Sequence, residues 1–160
     1  MPFPCRNKRA LQTFVLAIVL FPFLSSLPAQ AGVIETQKLY FGKWVITDNQ
    51  SVHSITVETD GSYNNSPELI MIEEPQQGIY QMTELPDGVT VNDVTVSMQE
   101  PLQGMGGEDF TMDNFQVLYS PTVVDQEITV TLGARAQTSG DGNNYGDGIH
   151  TGQLLIEIHL

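Results

Sequence analysis

The chain has 160 residues, of which 19 are acidic and six are Lys or Arg, giving a formal net charge of −13. Such an imbalance repels nucleic acid and anionic lipid and excludes nucleic-acid binding as the function. There is one cysteine, Cys5, so no disulfide framework and no thiolate metal site arise within the chain.

Residues 1–31 read as a signal peptide. Arg6, Lys8 and Arg9 form a positive start, Phe14–Leu27 is apolar, and Ala29-Gln30-Ala31 is a small-x-small cleavage site. The apolar stretch is shorter than the roughly 18 residues of a membrane span, and no later stretch approaches it. Cleavage would leave residues 32–160 as one exported domain in the periplasm, at the cell surface or outside the cell, with no integral membrane span. Of the basic residues only Lys38, Lys43 and Arg135 follow Gly32, whereas all the acidic ones do. A solvated acidic surface is the expected reading, with a cation-binding surface as the sharper one. A domain of this size buries roughly two thirds of its unfolded surface.

Helical periodicity is almost absent, and period-two runs follow one another between Gly, Asn, Asp and Pro clusters. Leu39–Ile46 is the first predicted strand, with Trp44 and Ile46 on one side. His53–Glu58 alternates Ile55 and Val57 with Thr56 and Glu58, and Asp60-Gly61 turns the chain. Leu69–Glu73 is short. Gly78–Leu85 presents Tyr80 and Met82 on one face and stops at Pro86-Asp87-Gly88. Val94, Val96 and Met98 alternate with Thr95, Ser97 and Gln99. Phe110 and Met112 are out of phase with Phe115, Val117 and Tyr119, so a bulge or turn at Asp113-Asn114 is needed to bring both sets to the core. Ile128, Val130, Leu132, Ala134 and Ala136 alternate with Thr129, Thr131, Gly133 and Arg135.

The last strand is "GQLLIEIHL", Gly152–Leu160. Leu154, Ile156, Ile158 and Leu160 are expected to face the core. The strand is expected inside a sheet beside Ile128–Ala136, to which "QTSGDGNNYGDGIHTG" joins it as a long hairpin connection. Residues 32–38 alternate poorly, which favours a self-sufficient sandwich in which they contribute little or pair within their own sheet; in a pilin-like subunit they would instead hang free, with a groove along one sheet edge. Seven to eight short strands at this spacing indicate an all-β antiparallel sandwich or barrel in a single domain.

The residues Leu39-Tyr40-Phe41-Gly42, Tyr80 leading to Leu85-Pro86, Val130-Thr131-Leu132-Gly133-Ala134 and the closing Gly148-Ile149-His150-Thr151-Gly152 resemble the secreted bacterial family catalogued as domain of unknown function 4402 (DUF4402). The resemblance covers nearly all of residues 32–160. The chain departs from it at Ile149 and Leu160, where aromatic residues are usual. It implies a single immunoglobulin-like β-sandwich at the bacterial surface, similar to some pilus subunits, and no catalytic residue.

Candidate chemistry is sparse. In "SGDGNNYGDG", Asp141, Asn143 and Asp147 place oxygens at short odd spacings as calcium loops do, but Tyr145 and Gly152 stand where an EF-hand has an oxygen ligand and its closing Glu. The expected reading is a hairpin loop whose Gly, Asn and Asp supply positive φ. "GMGGED", Gly104–Asp109, lacks the Lys of a phosphate cradle and has Glu100, Glu108 and Asp109 around it. His53, His150 and His159 show no metal-ligand spacing. His53 between Ser51 and Ser54 is not by itself a triad. Glu73 and Glu74 point to opposite faces of a strand. Asn49-Gln50-Ser51 and Asn64-Asn65-Ser66 match the glycosylation triplet without weight in a bacterial protein.

No catalytic, cofactor-binding or metal-ligating residue is therefore predicted. The expected function is that of a non-enzymatic exported bacterial surface or periplasmic protein of structural or adhesive type, a pilin-like subunit among the options. Its partners would be copies of itself or other surface subunits met at sheet edges. The alternative is a secreted calcium- or glycan-binding module.

Overall fold

The computed structural model describes residues 32–105 and 107–160, so the expected leader lies outside the described residues. The described residues form ten strands and no helix: β1 (Gly32–Gln37), β2 (Lys43–Ile46), β3 (Ser54–Val57), β4 (Tyr63–Asn65), β5 (Leu69–Glu73), β6 (Gly78–Thr83), β7 (Asp93–Gln103), β8 (Thr111–Tyr119), β9 (Ile128–Gln137) and β10 (Thr151–His159). Against the seven or eight expected, the additions are β1 and the short, polar β4. The predicted Leu39–Ile46 strand is regular only over β2. Before it, the chain makes one bridge, Tyr40 with Gln76, and turns at Gly42, whose φ is +84°.

β9 organises the molecule. Its apolar positions Ile128, Val130, Leu132, Ala134 and Ala136 are all buried. β8 pairs with it from Val130 to Gln137 on one side. On the other side β6 pairs with Ile128–Leu132 and β3 with Ala134–Gln137, so two strands share one edge in tandem. Gly133 faces the junction. A Cβ there would lie 2.4 Å from the Val57 carbonyl oxygen, which is why the strand's regular pattern carries glycine at this point. β1 extends the sheet beyond β6, and β4 extends it beyond β3.

The phase break in β8 is resolved as the sequence requires. The register shifts between Asp113 and Gln116, and Asn114 takes a left-handed φ of 48°. One residue is thus spent in a bulge, and Met112 and Val117 both reach the core.

Two strand pairs, β7 with β10 and β2 with β5, form the second layer of a sandwich. The interior divides into two clusters. Phe41, Ile55, Val57, Leu69, Met112, Ala134 and Ala136 form one, covered by Trp44, Met98 and Leu154. Met82, Leu85, Val91, Val94, Val123, Ile128 and Val130 form the other, covered by Ile156 and Ile158. The β7–β10 pair spans both.

The expected neighbour of the last strand is corrected. β10 pairs with β7, from Thr151 opposite Gln103 to His159 opposite Asp93, and not with Ile128–Ala136. Both edges of β9 are already occupied by β8, β6 and β3, so the chain after it crosses to the other layer. Nor does β10 lie inside a sheet, since its sheet has two strands. Leu154, Ile156 and Ile158 face inward but are only half-buried, and Leu160 is exposed. Replacing Ile156 by Asp should cost about 1–3 kcal/mol, because the carboxylate enters a core face with water still in reach. Glu157→Lys, on the exposed face, should stay within about 0.5 kcal/mol. Urea denaturation of both variants checks the pair; equal losses would contradict this orientation.

A bidentate ion pair braces β8 to β9. Arg135 donates from Nε and from a terminal nitrogen to the two Asp113 oxygens, each at 2.7 Å, and Gln137 Nε2 donates to the same carboxylate at 2.6 Å. The Arg135 hydrogen bonds hold the Asp113 carboxyl below its ordinary pKa. A carboxyl depressed on folding stabilises above its unfolded value, about 3.9, and that contribution disappears as pH falls through the native value. Asp113→Asn should therefore be less stable than the parent at neutral pH, with the difference shrinking in acid. A pH series of melting temperatures reads this directly.

Candidate functional site

β10 presents a free edge. The Asn92 N–H donates to the His159 carbonyl at 2.7 Å, so the main-chain groups of His159 point at β7. Alternation along the strand points those of Leu155 and Glu157 the same way and turns those of Leu154, Ile156 and Ile158 to the unpaired side. Natural edges are blunted by bulges, Lys, Pro or brevity. β10 has none of these. Its register shifts against β7 fall at extra residues in β7, leaving β10 regular from Gln153 to His159. Its one charged residue is Glu157. The other edges differ: β8 is bulged, β1 is bulged between Glu35 and Gln37, and β4 has three residues.

Beside this edge the two layers part. A groove of about 550 Å³ runs between β10 and β1, with Leu39, Phe41, Tyr80, Met112, Leu154 and Ile156 among its walls. Burial raises the Tyr80 phenol above its ordinary pKa, opposed by the Leu39 N–H that bonds to its oxygen, so the ring stands in the groove uncharged. Residues 32–37 pair within their own sheet, β1 with β6 from Gly32 opposite Thr83 to Gln37 opposite Ile79, as expected of a self-sufficient sandwich, and do not hang free as a pilin-like donor segment would. Yet Val33 and Ile34 remain 58% and 52% exposed on that strand.

The acidic glycine-rich loop is knotted around Asn49. The Asn49 side-chain nitrogen donates to the Asn143 carbonyl at 2.8 Å, its side-chain oxygen accepts from the Gly140 N–H at 3.2 Å, and its main-chain carbonyl accepts from the Gly142 N–H at 2.7 Å. Asp141 and Asn143 are brought together, but each occupies the other. Asp141 Oδ1 accepts from the Asn143 N–H at 2.9 Å and from Ser139 Oγ at 2.7 Å, and Oδ2 accepts from Asn143 Nδ2 at 2.8 Å. The Asn143 N–H is the first cause that holds the Asp141 carboxyl below its ordinary pKa. Asp147 makes no contact with them, and among the described residues no three His, Cys, Asp or Glu converge as a metal site. Calcium is accordingly expected to leave the melting temperature unchanged, a result that thermal scans with and without it would check.

Asn143 Nδ2 also donates to Glu108 Oε1 at 3.1 Å, which ties this loop to "GMGGED". Of that stretch Gly106 lies outside the described residues. The two loops bring together an aromatic stack that the sequence pattern did not reveal. Phe110 stacks on Tyr145 at 4.0 Å and meets Trp44 and His150 edge-on at 4.9 and 4.8 Å. His150 Nε2 is buried without a partner against Gly104, where a Cβ would lie 2.4 Å away. Trp44 and Tyr145 line an open cleft of about 1240 Å³, with the amides of Asn49, Gln50, Asn143 and Asn144 around them.

His53 is more than an ordinary turn histidine. It is 5% exposed, with Nδ1 3.2 Å from Glu68 Oε2 and Nε2 3.3 Å from Ser51 Oγ. Serine, imidazole and carboxylate stand in the order of a hydrolytic triad. Ser51, however, lines neither the groove nor the cleft. The ring anchors the entry to β3, where the His53 N–H and carbonyl both bond to Thr138 at 2.9 Å. Glu68 is distant in sequence, and no local motif announces it. Glu73 meets Lys43 at 3.6 Å across β2 and β5 and has no acid–base partner there. His159 sits exposed at the end of β10.

Among the described residues no helix is long and apolar enough to cross a membrane. No known protein family, curated protein or solved structure matches the chain at a significant level.

Proposed function

We propose that the chain is a non-enzymatic exported bacterial protein, in the periplasm or at the cell surface, of structural or adhesive type, and that it works by joining other protein chains along its sheet edges as pilin-like subunits do. The observation that supports this reading most is the unblunted edge of β10 beside an apolar groove. A row of unpaired N–H and C=O groups next to half-covered apolar side chains is a template for an added strand. The leader-like residues 1–31, the acidic surface and the resemblance to the secreted family support export. Envelope fractionation of the producing cells, followed by size analysis of the native protein, tests it. Recovery in envelope assemblies larger than one chain is expected; a cytoplasmic monomer would overturn it.

A second reading is favoured by the cleft of Trp44 and Tyr145. Aromatic faces flanked by amides suit a neutral saccharide, which offers C–H faces and hydroxyls to both. Trp44 is the chain's single tryptophan, so its fluorescence reports the cleft alone. A saturable shift on titration with oligosaccharides would favour this reading, and an unchanged spectrum would oppose it.

A further inference from the structure

We infer that the partner of the β10 edge is a second copy of the same strand, joined about a two-fold axis that passes beside Leu155. The inference rests on the reading of the domain as one that associates through sheet edges, and it names the edge, the partner and the register.

An antiparallel pair about a two-fold axis is self-complementary, so every residue of β10 meets another residue of β10. Main-chain groups must also match: residues turned to the free edge have to meet residues turned the same way. With the axis at Leu155, Leu154 faces Ile156 of the second copy, and both direct their N–H and C=O groups across the join. They form a hydrogen-bonded pair, as do Gly152 and Ile158. Leu155 then faces its own equivalent in a non-hydrogen-bonded pair, where side chains approach most closely.

Charge narrows the choice of register. On a chain with 19 acidic residues, edge pairing of two copies fails wherever carboxylates are brought face to face. β10 carries one, Glu157, and here it lies opposite Gln153, while His159 lies opposite Thr151. Moving the axis to Glu157 would oppose the two carboxylates directly. Moving it to Ile156 would set Glu157 against Leu155. The registers at Leu155 and Leu154 leave neither conflict, and of the two only the first sets the exposed Leu155 against its own equivalent and not against Gln153.

Apolar surface supports the same arrangement. Leu155 is 41% exposed on the outer face of an otherwise polar row, and its mate would cover it. On the inner face Leu154, Ile156 and Ile158 are half-buried, and the first two border the groove. The same three side chains from the second copy would continue that apolar face past the strand edge, over the open side of the groove. The result is a four-stranded layer, β7–β10 followed by β10–β7, with no free β10 edge.

Cysteine placement tests the register. In a Cys5→Ser background, Leu155→Cys should give a disulfide-linked dimer under mild oxidation, because non-hydrogen-bonded neighbours lie about 4.5 Å apart at Cα, within disulfide reach. Gln153→Cys and Glu157→Cys should each stay uncrosslinked alone and crosslink when the two proteins are mixed. By light scattering the parent should have the mass of two chains, and Leu155→Lys, which sets two ammonium groups face to face, should halve it with an unchanged circular dichroism spectrum. A parent dimer that survives Leu155→Lys and does not crosslink at position 155 would overturn this inference while leaving association through another edge standing. A parent that is monomeric at every concentration would overturn both.

Discussion

Leu132→Ala is expected to lower stability by about 2–5 kcal/mol, the range for truncating a fully buried leucine. Leu132 has no exposed surface and lies at the middle of β9, where it pairs with Gly78 on one side and Val117 on the other. Three strands fix the main chain around it, so the space left by the lost carbons cannot close by local collapse. The cost belongs toward the upper part of that range. For a domain of this size the melting temperature should fall by something on the order of 10 °C. Leu118→Ala makes the comparison fair: the same chemistry is removed from β8, but the side chain is 60% exposed. That variant should stay within about 0.5 kcal/mol. Similar losses in the two would mean that β9 is not the centre of the core.

Gly133→Ala is expected to be clearly destabilising although it adds a single methyl group. The new Cβ would sit 2.4 Å from the Val57 carbonyl oxygen and 2.9 Å from the Glu58 carbonyl carbon. Both are main-chain atoms of the segment leaving β3, so neither can rotate away as a side chain would. Relief requires β3 to move off β9, which strains the Ala134–Val57 pairing and opens the cluster around Ile55 and Val57. Overpacking of this kind costs about 1–3 kcal/mol and more where the neighbours are rigid. Gly88→Ala separates crowding from main-chain strain, since Gly88 has a φ of +73° but nothing within 4 Å of its would-be Cβ. That variant should lose about 1–2 kcal/mol, the left-handed penalty alone. Chemical denaturation of the two variants should rank Gly133→Ala as clearly the worse.

Legibility in the sequence followed the rule that side-chain alternation reports burial on one face and says nothing about partners. β7, β9 and β10 alternate cleanly, and the sequence locates each of them. The bulge at Asn114 was legible for the same reason, because two apolar sets out of phase cannot both face a core without one. β1 and β4 were not, since Val33-Ile34 and Asn64-Asn65 do not alternate and the strands are held by main-chain pairing to β6 and β3. Pairing was the weak point. A hairpin between β9 and β10 follows from chain proximity, but three other strands already occupy the edges of β9. The groove exists only because β10 and β1 end different layers on the same side, which no local pattern encodes. The Phe110–Tyr145 stack and the contact of His53 with Glu68 likewise join residues far apart along the chain. An aromatic in a glycine-rich loop is the sequence trace of the first, and nothing local marks Glu68 as the partner of His53.

The position of β9 also governs the order in which the molecule can be built. Its partners β3, β6 and β8 all precede it, and in the large sheet only β1 with β6 and β3 with β4 pair without it. Ser54 waits for Gln137, and Gly78 for Leu132. During synthesis from the first residue onward, four fifths of the chain must therefore emerge before the main sheet can close, and the closing contacts are the non-local kind that fold slowly. Until then Ile55, Val57 and Met82 lack the strand that buries them, and the chain stays open to chaperones and to its neighbours. A nascent chain halted before Ile128 should remain protease-sensitive throughout, whereas one released with β9 and β10 complete should gain a resistant core.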